Sequence, residues 1–164
     1  MKKGFTLVEI IIVLAILGIL IAITNINFVR LSQKSKLDSA ANDIAAMVKE
    51  VYEKSNNEMD YTKWKIEIKR GSSNYNISII NNGQVVRSIE LQNAIMEFND
   101  GNVNLSVDTV NLINFASNGN IVFKNNALNN EFINFNIKLT NSSNSEIYKT
   151  IEIKSTPPGY VIIK

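Results

Sequence analysis

The sequence predicts an α+β fold, in which one long N-terminal helix precedes an antiparallel β-sheet domain. Two patterns lead to this prediction. Apolar residues in the first third of the chain recur with a helical period, whereas from Trp64 onwards they alternate with polar residues, as in half-buried strands. The chain has 164 residues, which is enough for one domain of moderate size beyond the apolar N-terminal segment.

The first part of the predicted helix is an apolar stretch of nineteen residues from Phe5 to Ile23, in which Glu9 is the one charged residue. A helix of this length spans about 28 Å, close to the hydrocarbon thickness of a bilayer. A carboxylate inside it costs roughly 2.5–3.5 kcal/mol on insertion, and the many large apolar residues, at about 0.3–0.6 kcal/mol each, outweigh that cost. We therefore expect residues 5–28 to form a transmembrane half of the helix, and the buried acid to have a function.

The residues around the start of this stretch resemble the processing site of type IV prepilins and pseudopilins. The motif is Lys3-Gly-Phe-Thr-Leu-Val-Glu9. The resemblance implies that a prepilin peptidase cuts between Gly4 and Phe5, so that residues 1–4 are a leader peptide, and that Phe5 is N-methylated. It also implies a pilin-like architecture and makes Glu9 the residue that directs subunit assembly.

Elementary electrostatics agrees with this role for Glu9. Cleavage after Gly4 frees an α-amino group whose reference pKa is about 7.7–8.0, so the new N-terminus is largely cationic at neutral pH. In a fibre of packed helices, the amine at Phe5 of one subunit could pair with the carboxylate of another. Two charges that are each costly alone in lipid would then neutralise one another on assembly.

Two simpler interpretations of the N-terminal segment remain open. A secretory signal peptide has a shorter apolar core and a small-residue cleavage site, and the nearest candidate here, Ala22-Ile-Thr24, fits that pattern poorly. A generic signal anchor has no need of the prepilin-like motif at the lipid boundary. Basic residues flank both ends, so the motif, rather than the charge balance, predicts a single-pass topology with a cytoplasmic N-terminus and an extracytoplasmic globular domain.

The helix is expected to run from Thr6 to about Lys54, with an amphipathic half over residues 29–57 that the following sheet covers. The polar run Ser55-Asn-Asn57 is a plausible end, and Asn25 and Asn27 could weaken the helix where many relatives have a proline near position 26. An apolar stripe with spacings of three and four predicts the buried face. Its members are Phe28, Leu31, Leu37, Ala41, Ile44, Val48 and Val51.

Residues 58–164 are predicted to form the antiparallel β domain. Asn81-Asn-Gly83 predicts a tight hairpin turn with positive φ, and Pro157-Pro-Gly159 predicts a turn before the last strand. The candidate strands cover residues 64–69, 75–80, 84–91, 94–98, 102–107, 110–115, 121–124, 132–139, 147–154 and 160–164. Part of this order has a weaker resemblance to GspH/FimT-type minor pseudopilins, carried by Ile113-Asn-Phe-Ala-Ser-Asn-Gly119, Ile147–Lys154 and Gly159-Tyr-Val-Ile-Ile163.

Composition argues against several other functions. The chain has no cysteine and no histidine, which excludes disulfides, thiolate metal sites and the commonest general base. A formal net charge of +2 without a Lys/Arg cluster indicates no nucleic-acid partner. Asp100-Gly-Asn102-Val-Asn104 imitates the start of a calcium loop, but Leu105 and Asn111 occupy its sixth and twelfth positions, so a β-turn is favoured. No catalytic residue, cofactor or metal is predicted.

The sequence therefore predicts a structural subunit and not an enzyme, namely a minor pilin or pseudopilin of a type IV pilus or of a related secretion or competence pseudopilus. The expected partners are prepilin peptidase, other pilin or pseudopilin subunits, the inner-membrane assembly platform and membrane lipid. The expected location is the cell membrane and then a surface filament or pseudopilus. Two alternatives remain open, the major pilin of the filament and a membrane-anchored binding domain that never polymerises.

Overall fold

The computed structural model describes residues 6–99, 110–126 and 128–164, without the side chains of residues 22–26. The predicted α+β class is confirmed, because an N-terminal helix is followed by antiparallel strands, as in a pilin-like layout. In chain order the elements are α1 (Leu7–Glu58), β1 (Trp64–Arg70), β2 (Asn74–Asn81), β3 (Gln84–Gln92), β4 (Ala94–Phe98), β5 (Val110–Phe115), β6 (Ile121–Lys124), β7 (Asn129–Phe132), β8 (Asn134–Asn141), β9 (Tyr148–Ser155) and β10 (Pro158–Ile163).

The chain divides into two compact units, Met1–Ser35 and Lys36–Lys164. The first unit contains the N-terminal part of α1, and the large apolar side chains described there are exposed, with Leu7 at 75%. The second unit contains the rest of α1 and the strands β1–β10. Only the second unit therefore has a hydrophobic core among the described residues.

α1 ends later than the sequence predicts. Ser55-Asn-Asn57 does not end the helix near Lys54, because α1 continues to Glu58 and stops where Met59 adopts a φ of 52°. Ser55 is fully buried, so packing of this last turn outweighs the weak helix propensity of Ser and Asn. The backbone is also helical, without interruption, through Asn25 and Asn27.

The strands form two antiparallel sheets, where the sequence predicts one. A six-stranded sheet has the order β3-β2-β1-β5-β6-β7, and a four-stranded sheet has the order β10-β9-β8-β4. The prediction of one strand over residues 132–139 is wrong, because the chain leaves the first sheet at Phe132, passes through the exposed Ile133 and enters the second sheet at Asn134. The strand β7, which precedes this change of sheet, was not predicted. The candidate strand at 102–107 and the turn at 100–104 lie outside the described residues.

The core of the second unit joins α1 to both sheets. The helix stripe from Leu37 to Val51 is buried in one cluster with strand residues, as the sequence predicts. The same prediction is wrong for Phe28 and Leu31, which are 69% and 67% exposed and belong to the first unit. Four phenylalanine rings with centroids 5.3–5.6 Å apart fill the core around the fully buried Phe135, and they are Phe98, Phe123, Phe132 and Phe135 itself.

Ion pairs at the surface connect the helix to one strand of each sheet. Arg87 on β3 lies 3.4 Å from Asp43 and 3.8 Å from Glu50, two acids that are two helical turns apart on α1. Lys149 on β9 lies 3.0 Å from Asp38. Such partly exposed pairs contribute little stability individually, so the buried apolar contacts hold these elements together.

Candidate functional site

The start of α1 is built on reciprocal hydrogen bonds between Thr6 and Glu9. The backbone N–H of Thr6 donates to Oε2 of Glu9 at 2.8 Å, and the Thr6 hydroxyl donates to the same oxygen at 2.9 Å. In return, the backbone N–H of Glu9 donates to Oγ1 of Thr6 at 3.3 Å. The N–H of Ile10 donates to the Thr6 carbonyl at 3.3 Å, and this bond closes the first turn of the helix. Together these contacts form a capping box, with Thr6 at the N-cap and Glu9 three residues later.

The local sequence explains why the helix begins here. The first N–H groups of a helix have no partner within the helix, and a Thr hydroxyl at the N-cap accepts one of them. A Glu three residues later can reach back to the N-cap backbone, which Glu9 does. Glu9 is predicted from the sequence as a functional residue, whereas its partner Thr6 was not predicted. The signal was present, since Thr-x-x-Glu before an apolar run is a known mark of a helix start.

The surroundings of Glu9 are apolar. Its helix neighbours Leu7, Val8 and Ile10 all have exposed side chains, and so do most of the apolar residues further along the first unit. A carboxylate among exposed apolar groups has no partner within the described residues other than Thr6. The N-terminal end of α1 therefore carries a carboxylate among exposed apolar side chains, which water solvates poorly.

Of the three predicted site residues, only Glu9 lies within the described part of the chain. Gly4 and Phe5 lie outside it, so the predicted cleavage site and the residue predicted to be methylated stay predictions. Within the described residues, no helix contains an apolar run that is long enough to cross a membrane. In that same part of the chain, no three acidic side chains come together as a metal site would require.

Comparison with known families bears on this N-terminal segment. Residues 1–25 match the family model of the prokaryotic N-terminal methylation motif. The match supports the resemblance to type IV prepilins and pseudopilins, because that motif is their N-terminal signature. No curated protein and no solved structure matches the chain. The weaker resemblance of the C-terminal strands to GspH/FimT-type pseudopilins therefore stays a prediction.

The motif defines the class of protein at a coarse level. It indicates a structural subunit. It also implies that prepilin peptidase processes the chain and that the processed chain assembles with other pilin subunits. The matched segment contains Gly4, Phe5, Thr6 and Glu9, so the capping box lies inside the motif itself.

Proposed function

We propose that this chain is a structural subunit of a type IV pilus or of a related pseudopilus. The match of residues 1–25 to the N-terminal methylation motif is the observation that carries the proposal. In this proposal residues 1–4 are the leader, prepilin peptidase cuts between Gly4 and Phe5, and Phe5 is then N-methylated. No cofactor is predicted. The chain would assemble with an inner-membrane assembly platform as a partner, and a separate cytoplasmic ATPase would drive its polymerisation.

The proposed topology assigns one task to each segment. Residues 5–28 cross the membrane, with the N-terminus in the cytoplasm, and residues 29–57 form the amphipathic half of the helix. Residues 58–164 form the globular domain on the extracytoplasmic side. The proposed span rests on the nineteen-residue apolar stretch from Phe5 to Ile23, which includes residues beyond those whose side chains are described.

The exposed apolar surface of the first unit supports assembly through the helix. The large apolar side chains that the structure describes between Leu7 and Ile21 and between Phe28 and Leu31 are about half exposed or more in the single chain. Before assembly, lipid would cover them, and in a filament the helices of other subunits would take its place. The helix would then form the fibre core, whereas the two sheets would face outward.

Glu9 has a specific task in this assembly. Its charge is expensive in lipid, by roughly 2.5–3.5 kcal/mol, and the amine created at Phe5 of another subunit is expensive for the same reason. Pairing removes both costs, and it can do so only when two helices are staggered by the correct axial distance. The charge pair would therefore set the register between subunits.

Replacement of Glu9 by alanine tests this proposal. We expect Glu9→Ala to be inserted and folded normally but to be absent from the sheared filament fraction, because the amine of the neighbouring subunit would lack its partner. Val8→Ala is the matched control, since it shortens an exposed apolar side chain in the same helical turn. Normal incorporation of Glu9→Ala would contradict assembly by charge pairing. Absence of the unmodified chain from the filament fraction would instead favour the simpler alternative of a membrane-anchored domain that does not polymerise.

The kind of subunit is a separate proposal. We assign the chain to the minor pilins or pseudopilins on the C-terminal resemblance alone, which covers parts of β5, β9 and β10. Quantitative mass spectrometry of purified filaments would give its share of the subunits. A small share would support this assignment, and a dominant share would identify the major pilin.

A further inference from the structure

The Glu9 carboxylate is held through one of its two oxygens. Both Thr6 donors, the backbone N–H and the hydroxyl, end on Oε2. Among the residues that the structure describes, no hydrogen-bond donor reaches Oε1. An ionised carboxylate accepts about four hydrogen bonds in all, so Oε1 keeps its capacity for a donor from another molecule.

These contacts also fix the direction of a flexible side chain. A free Glu has three rotatable side-chain bonds, and fixing them on binding carries one of the larger entropy costs among the amino acids. Thr6 fixes them within the single chain, because its hydroxyl donates to the carboxylate and accepts from the Glu9 backbone. The carboxylate is therefore directed towards the N-terminal end of the helix before any partner arrives, and such preorganisation strengthens binding.

We infer that Thr6 is a positioning residue for subunit assembly and that the two carboxylate oxygens of Glu9 have different tasks. Oε2 closes the capping box within the subunit, and Oε1 receives the amine of a second copy or of another pilin subunit. The charge pair then forms without breaking the helix cap. This inference rests on the proposed assembly through Glu9.

Replacement of the Thr6 hydroxyl tests the inference in the full-length chain. Thr6→Val removes the hydroxyl with little change in size, and we expect it to lower incorporation into filaments about five-fold, the size of a typical N-cap loss. Thr6→Ser restores the hydroxyl and should return incorporation close to that of the unmodified chain. Incorporation is measured as filament protein divided by processed protein in the membrane, so that differences in insertion or cleavage do not contribute.

A third variant separates positioning of Glu9 from simple helix capping. Asp is at least as good an N-cap as Thr, but its ionised carboxylate cannot donate a hydrogen bond to Glu9 and repels it. We therefore expect Thr6→Asp to remain impaired where Thr6→Ser is restored. If Thr6 only caps the helix, Thr6→Asp will assemble as well as Thr6→Ser, and the inference is wrong.

Two further outcomes would also overturn it. Unchanged incorporation of Thr6→Val would show that the hydroxyl has no part in assembly, and increased incorporation would show that the cap competes with the intersubunit pair. Glu9→Ala, measured in parallel, keeps the two proposals apart. If Glu9→Ala assembles normally, the proposed role of Glu9 fails. If Glu9→Ala is blocked while Thr6→Val assembles normally, only the role of Thr6 fails.

Discussion

Gly159 lies where β10 meets the helix, and its replacement by alanine should destabilise the second unit strongly. The residue has a φ of 71°, in the left-handed region. A Cβ atom added there would overlap the ring of Tyr52 on α1 and would lie 2.6 Å from its Cγ. The ring is partly buried and packs edge-on against Phe115 with the centroids 5.1 Å apart, so a movement away from Gly159 would disturb this contact.

The loss of stability expected for Gly159→Ala is the sum of two separate costs. A residue with a Cβ atom loses about 1–2 kcal/mol in the left-handed region. Forcing an extra methyl group into a packed core costs about 1–3 kcal/mol more. Gly159→Ala should therefore lower the free energy of unfolding by about 2–5 kcal/mol, a large share of the stability of an ordinary domain.

The chain supplies both a probe and a control for this measurement. Trp64 is the one tryptophan of the sequence and is 6% exposed, so its fluorescence should report urea unfolding of the detergent-solubilised protein. Gly83 has a φ of 81° but no atom within 4 Å of an added Cβ, so Gly83→Ala carries the backbone cost alone. Equal losses for Gly83→Ala and Gly159→Ala would refute the steric part of the argument.

Two further predictions use the same fluorescence assay. Phe135→Ala should cost about 3–5 kcal/mol, because the ring is fully buried among three other phenylalanines; a loss below about 1 kcal/mol would contradict the packing described here. The Thr62 hydroxyl and N–H donate to Asp60 and hold the pKa of that carboxyl below its usual value. The pKa of Asp60 is lower in the folded than in the unfolded state, so these hydrogen bonds stabilise the folded state at neutral pH, and the stabilisation is lost as the pH falls below about 4. Thr62→Val should therefore reduce the free energy of unfolding more at pH 7 than in acid. Equal effects of Thr62→Val at both pH values would contradict this linkage.

Much of the fold could be predicted from periodicity and turn chemistry. The apolar stripe from Leu37 to Val51 is buried at the helical spacing that the sequence shows. The hairpin between β2 and β3 turns at Asn82 and Gly83, whose φ values of 49° and 81° are those that the Asn-Gly sequence favours. Both predictions depend on residues close together in the chain, and for that reason the sequence alone was enough.

The remaining features depend on contacts between distant residues. Polar and apolar residues alternate from Ile133 onwards, but the preceding residues Asn129-Asn-Glu131 are all polar, so the period indicates neither β7 nor the change of sheets at Ile133. Ser55 is a weak helix former, and only its burial explains why α1 continues past it. The exposure of Phe28 and Leu31, which belong to the first unit, likewise does not follow from their spacing in the sequence.

The candidate site also has some features that the sequence predicts and others that only the structure reveals. A lone acid in an apolar run made Glu9 conspicuous in the sequence, and the spacing from Thr6 to Glu9 could have predicted the capping box as well. That both Thr6 donors reach the same carboxylate oxygen depends on side-chain geometry, which the sequence does not contain. The proposed cleavage between Gly4 and Phe5 would depend on a second protein, the peptidase.

The most direct test of the central claim is the intact mass and N-terminal sequence of the protein extracted from membranes, with and without the prepilin peptidase of its cell. We predict a mature chain that begins at N-methylated Phe5 only when the peptidase is present. Gly4→Leu is the internal control, and it should keep the leader in both cases because we expect a bulky residue at this position to stop cleavage. A chain that retains residues 1–4 whether or not the peptidase is present, or a Gly4→Leu variant processed as efficiently as the unmodified chain, would contradict the account.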